Sequence, residues 1–163
     1  MRLRIEVEEN EAPLRGELRY VAQEYSFNFE VDSTELLRER IGLSGVGSLV
    51  LGTLQIEVAV DSGYLLYPEG YCPHTAWHAG SVNPLSARDA CLRVSDAGTI
   101  QRGAGIRVGR RETPLIVYDR KSGWLRLQLD GADAVEDAVM FATGAIAGLS
   151  KGELLTLWLK PSS

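Results

Sequence analysis

Cys72, His74 and His78 stand within seven residues of one another, and Cys91 follows close enough to return to them. Thiolate and imidazole are the ligands zinc prefers, so these four side chains form the candidate metal set. Structural zinc sites, however, place two close ligand pairs on separate turns, and Cys-x-His-x3-His is not such an arrangement. Pro73 also stiffens the backbone between Cys72 and His74. The same groups can be read as a nucleophilic thiol and its imidazole base, a pairing that needs a lowered thiol pKa. A buried thiol acting as a small hydrophobe is the plainer expectation. Neither a metal nor another cofactor is expected.

A second chemistry is recognition. Tyr64, Tyr67, Tyr71 and Trp77 crowd one short stretch, with Glu69 among them and Asp61 nearby. Tyrosine and tryptophan combine large contact area with a polar handle and are enriched at binding hot spots. Tyr64, Tyr67, Glu69, Tyr71 and Trp77 are therefore the expected binding residues, on a surface built by one hairpin and its loop.

The elements that must position them are mostly strands. Residues 48–61 read as one long strand, Ser62-Gly63 as a turn, and Tyr64–Tyr67 as a returning strand stopped by Pro68 and Gly70. Period-two alternation marks strands at 2–8 and at Tyr25, Phe27, Phe29 and Val31. Leu14 to Tyr20 reads equally as strand or short helical turn. Asp32 and Ser33 are good caps, with Glu35 three after Asp32, so a helix is expected over about 32–41, ended by Gly42. Asn83-Pro84 predicts a second, short helix ending near Cys91.

Downstream, strands are expected at 90–94, 99–108, 115–118, 124–129, 138–143 and 153–159. A helix over 132–142 competes with the fifth of these. Asp119-Arg120-Lys121-Ser122-Gly123 is a hairpin loop, with Gly123 suited to the left-handed position. The fold class expected is mainly β (β-rich α+β). About ten short antiparallel strands would form a curved sheet, a sandwich or a partly open barrel.

The 163 residues suit a single domain, 1–163, and no apolar run approaches the ~20 residues that span a bilayer. The alternating start does not read as a signal peptide, so a cytoplasmic protein is expected, with no membrane partner. Residues 1–81 carry six arginines against thirteen acids, whereas residues 82–163 carry eleven cations against nine acids. An acidic first half argues against nucleic acid, whose backbone needs clustered cations, and suits a basic protein partner. Arg107, Arg110, Arg111, Arg120 and Lys121 would make a basic patch if their hairpins stacked. The Ser44–Gly47 glycine loop lacks a Walker lysine, and no nucleophile elbow, metalloprotease, EF-hand or dinucleotide motif occurs.

The expected function is non-enzymatic binding of a macromolecular partner. In being small, acidic and free of catalytic motifs, the chain resembles in type the immunity proteins that neutralise bacterial toxins. That resemblance implies a protein partner and no active site. A Cys/His-dependent or metal-binding protein centred on residues 68–78 is the alternative, and a structural subunit of a homo-oligomer is a third.

Overall fold

The computed structural model describes residues 3–131 and 134–162. The chain runs through β1 (Ile5–Glu8), β2 (Gly16–Val21), β3 (Ser26–Val31), helix α1 (Thr34–Ile41), β4 (Val46–Leu51), β5 (Leu54–Ala59) and β6 (Leu65–Tyr71). It continues through β7 (His78–Ala79), β8 (Arg88–Asp89), β9 (Cys91–Val94), β10 (Gly105–Arg107), β11 (Leu115–Tyr118) and β12 (Leu125–Gln128). It closes with β13 (Asp137–Ala142), β14 (Ala145–Ser150) and β15 (Glu153–Leu159). The fold is mainly β with one α-helix, and its sheets do not close into a barrel.

One sheet has six strands in the order β10-β4-β5-β6-β3-β2, and the other has seven in the order β7-β11-β12-β15-β14-β13-β8. A two-stranded ribbon pairs β1 with β9. The main hydrophobic core takes side chains from both large sheets. Phe27, Leu49, Ile56 and Val58 come from the first, and Leu127, Phe141, Ala147 and Leu157 from the second. Period-two alternation makes this possible, since it puts every second side chain on the inner face.

Strand length follows position. The longer strands pair antiparallel with their neighbours, while the parallel pairings all involve the shortest strands, β7, β8 and β10. Each of these three ends a sheet. Short edge strands leave little unpaired backbone for another chain to extend.

Several expectations are corrected by this topology. The stretch 48–61 is two strands, β4 and β5, because Gly52 takes a left-handed φ of 67° and reverses the chain. The strand after the Ser62-Gly63 turn runs through Pro68 and Gly70 to Tyr71. Pro68 is tolerated because β3 pairs with β6 only at Tyr71 and Gly70, leaving that side of Pro68 without a ladder partner. Leu14–Tyr20 resolves as strand β2. Tyr25 lies outside β3 in a left-handed turn with φ 55°. The expected strand at 99–108 shrinks to β10, preceded by a 3-10 turn at Ala97–Thr99. The helix forms as expected, but Ser33 is its cap, accepting from the Leu36 N–H at 3.1 Å, which leaves Asp32 and Glu35 without the capping-box role. Met1, Arg2, Ala132, Asp133 and Ser163 lie outside the described residues. They include the start of the first expected strand and of the alternative helix at 132–142. From Asp137 onward that alternative is replaced by β13.

The missing second helix has a geometric cause. β7 and β8 sit at opposite edges of the seven-stranded sheet. Six strand spacings of about 4.8 Å make that span roughly 29 Å. The nine steps from Ala79 to Arg88 cover about 30 Å fully extended and only about 13 Å as helix. Residues 80–87 must therefore run straight across the outer face. Val82 is buried there with Ala138, Ile146 and Trp158. Its N–H donates to Asp119 Oδ2 at 3.0 Å, and its carbonyl accepts from Ser122 Oγ at 3.2 Å.

Folding also dissolves much of the charge asymmetry seen along the chain. Glu6 and Glu8 pair with Arg93, at 3.0 and 2.9 Å, and Glu9 pairs with Arg88 at 2.7 Å. Acids of the first half thus meet cations of the second. No helix among the described residues is long and apolar enough to cross a membrane.

Candidate functional site

The expected binding residues are spread along β6 and the chain on either side of it, with Tyr67, Glu69 and Tyr71 alternating on one face of the strand. Tyr64 turns toward α1, packing beside Leu66 and Ala59 with the Arg40 guanidinium 6.0 Å from its ring centre. Tyr67 stacks on Phe29 with ring centres 5.1 Å apart, and stands opposite Glu57 in the β5–β6 ladder. Glu69 shares that face with Glu57. Burial first, and then the hydrogen bond and charge of Glu69, push the Glu57 carboxyl up to about 7. Burial and the same two acids push the Tyr67 hydroxyl up to about 12. Tyr71, at the end of the same strand, is joined to Trp77 by a row of rings.

That row begins at Tyr71, 50% exposed, whose ring centre is 6.2 Å from Tyr25. Tyr25 stacks on His74 at 5.3 Å. His74 meets Tyr20 edge-on at 6.0 Å and Trp77 at 6.2 Å. Tyr20 and Trp77 are 4.8 Å apart, and Trp77 continues to Tyr118 at 5.4 Å. Each such pair adds about 0.5–1.5 kcal/mol beyond area burial, so the row is a stiff unit. Tyr20 on β2 anchors it. Its hydroxyl donates to the Cys72 carbonyl at 2.8 Å and accepts from the His74 N–H at 2.9 Å. The 3-10 turn His74–Ala76 then sets His74 and Trp77 side by side.

The row opens onto a cleft of about 1010 Å³ between the β2 edge of one sheet and the β11–β12 hairpin of the other. Tyr20, His74, Trp77, Tyr118 and Trp124 provide its rings. Arg120, Lys121 and Lys160 provide its cations. Lys160 Nζ lies 5.8 Å from the Trp124 ring centre. The hairpin loop that carries Arg120 and Lys121 forms as its sequence predicts, with Gly123 at φ 81°. Asp119 makes no ion pair with the cations beside it, although its carboxylate stays ionised there. Its carboxylate accepts from the N–H groups of Val82, Lys121 and Ser122, which hold its pKa below the usual range, Val82 most strongly. Glu17, the acid at the rim, is taken by Arg19 at 2.9 Å and by Ser162 Oγ at 2.8 Å.

No protein-family model matches the chain, and no curated protein matches it either. The site is therefore read from its own geometry.

The Cys/His set does not assemble. Burial pushes the Cys72 thiol up to about 11, only partly opposed by the Trp77 indole beside it. No hydrogen bond among the described residues joins either imidazole to that sulfur. His74 Nδ1 instead faces the Tyr20 hydroxyl at 3.3 Å, and His78 lies exposed on β7. Cys91 donates to the Ala12 carbonyl at 3.0 Å, and both cysteines are buried free thiols. No three His, Cys, Asp or Glu side chains among the described residues are grouped to hold a metal.

The expected basic patch also divides. Arg107 pairs with Glu112 at 3.3 Å and Arg110 with Asp130 at 3.9 Å, beside a separate cavity of about 170 Å³. Arg120 and Lys121 belong to the large cleft. Tyr20, Tyr118, Trp124 and Lys160 were not singled out in the sequence. Tyr118 and Trp124 flank one hairpin loop, while Tyr20 on β2 and Lys160 after β15 are distant from it in the chain, and only Trp124, directly after the Gly123 turn, carries a local cue.

Proposed function

We propose that this protein is a non-enzymatic binding protein that grips a macromolecular partner at the aromatic cleft. The carrying observation is the continuous row from Tyr71 to Tyr118, which ends in a cleft bounded by Arg120, Lys121 and Lys160. Held rings lose little freedom on binding, so their contact area converts efficiently into affinity. Burial raises the Cys72 thiol, which disfavours the thiolate that a Cys/His nucleophile would need. A toxin-neutralising role would be one case of this reading, with the toxin as the partner.

The test is selection of displayed random peptides on the purified protein, followed by affinity measurements with variants. Binders are expected to lose about tenfold or more with Tyr25→Ala or Trp77→Phe, and nothing with Leu43→Ala, a fully exposed residue outside the cleft. Binders indifferent to the first two changes would place recognition elsewhere and end this reading.

A further inference from the structure

The outer edge of β2 has an unfinished hydrogen-bond pattern where it enters the cleft. β2 pairs only with β3 and ends its sheet. The Arg15 carbonyl accepts from the Asp32 N–H at 2.9 Å, and the same register runs on through β2. Odd-numbered residues therefore bond toward β3, and Gly16, Leu18 and Tyr20 direct their backbone groups outward. Two of these three are each half served, the Gly16 C=O and the Leu18 N–H having no partner among the described residues. The Gly16 N–H donates to Thr143 Oγ1 at 3.1 Å, and the Leu18 carbonyl accepts from the Ser162 N–H at 2.8 Å. The Tyr20 N–H and C=O have no partner among the described residues. Residues 160–162 thus cover the edge at Leu18, and they and the β2 edge together line the cleft.

We propose that the cleft takes an extended, acidic peptide segment of the partner, bridged to the backbone of Tyr20 and carrying an aromatic or long apolar side chain onto Trp77 and Trp124. This rests on the binding reading above and specifies its occupant. An edge residue with a free donor and acceptor is satisfied by one residue of an added strand, which fixes register. Affinity would come from the rings and from charge. Arg120 and Lys121 have no carboxylate partner among the described residues; Glu17 is paired with Arg19, while Asp119, bonded to backbone N–H groups, stays charged and offsets part of the cationic field. Arg120, Lys121 and Lys160, set against the ionised Asp119, leave a net positive spot that suits a carboxylate or two. They do not suit a long phosphate backbone, which on leaving the cleft would meet a chain of net charge −5.

The experiment uses the intact protein, the fluorescence of its tryptophans, and four probes. The first is a blocked hexapeptide with Asp and Glu flanking one Trp and one Leu. The second has every acid replaced by Lys, the third is the acidic peptide N-methylated at alternate amides, and the fourth is an eight-nucleotide oligothymidylate. The acidic peptide is expected to bind at least tenfold more tightly than each of the other three. Its advantage over the lysine peptide should shrink with added salt and be lost in the double variant Arg120→Glu, Lys121→Glu. A lysine peptide that binds equally well, with the same sensitivity to Tyr25→Ala, would overturn the acidic occupant and leave the binding reading standing. Unchanged affinity after N-methylation would overturn the bridge to Tyr20. Tighter binding of the oligothymidylate would replace the peptide with a nucleic acid. A concentration-dependent dimer in sedimentation, abolished by Lys121→Glu, would give the edge to a second copy and overturn a foreign peptide. Failure of every probe, together with displayed binders indifferent to Tyr25→Ala and Trp77→Phe, would remove both readings.

Discussion

The Tyr20 hydroxyl and the Cys72 carbonyl, 2.8 Å apart, tie strand β2 to the loop that follows β6. The residues are 52 positions apart in the chain, yet this bond, with the reciprocal one from the His74 N–H, holds His74 and Trp77 against the cleft. Burial raises the pKa of that hydroxyl, so it stays protonated and able to donate across the physiological range.

Tyr20→Phe keeps the ring and removes both bonds. Each is worth about 0.5–1.5 kcal/mol, and the Cys72 carbonyl and His74 N–H are left to find water. The expected loss is about 1–2 kcal/mol, which for a chain of this size lowers Tm by about 3–6 °C. Calorimetry of the two proteins checks this. Peptide affinity should fall as well, because the 3-10 turn carrying Trp77 loses its tie. An unchanged Tm would mean that the hydroxyl does not hold the loop.

Glu57 makes stability depend on pH in a direction unusual for a carboxylate. Its folded pKa of about 7 lies above the ordinary value of 4.5, so between those limits the folded state binds more protons than the unfolded one. Stability therefore falls as pH rises from about 4.5 to about 7 and then levels off. Glu57→Gln should remove that fall and stabilise the protein at pH 8 by about 1–2 kcal/mol, allowing for solvent screening of a half-buried group. Urea melts at pH 5 and pH 8 provide the comparison. An equal change at both pH values would show that the carboxyl titrates normally.

Cys72 should be slow to alkylate. A thiol held near 11 has about a hundredfold less thiolate at pH 7.5 than one at the ordinary value of 9.0, and burial restricts access further. Iodoacetamide labelling followed by mass spectrometry is expected to modify Cys72 only on the timescale of unfolding, and rapidly in urea. Fast labelling of the native protein would revive the nucleophile reading.

Much of the fold was legible because strand formation writes itself locally. Leu157 and Leu159 alternate and both reach the main core, although the register shift beside Leu149 puts Leu154 there in place of the expected Leu155. Asp119 to Gly123 has the residues that its turn requires, and the turn forms there. Glycine was harder to place. Gly52 ends one strand and Gly70 lies within another, although both adopt positive φ, at 67° and 113°. What separates them is whether the flanking residues find partners, and that is a property of the sheet.

The sequence alone determined the alternating apolar faces, a helix over about 32–41, which forms at Thr34–Ile41, and the crowding of reactive side chains in residues 68–78. Those are short-range matters of periodicity, capping and composition. Tertiary structure decided which side chains meet at the site. Asn83-Pro84 favours a helix locally, but the distance between the two sheet edges forces an extended crossing. Cys72, two residues from His74, reads as half of a catalytic pair, but burial raises its thiol and Tyr20 takes the histidine. Tyr20, Trp77, Trp124 and Lys160 meet because two sheets share one core. Side chains more than a hundred residues apart are brought together by packing, and no local pattern records that.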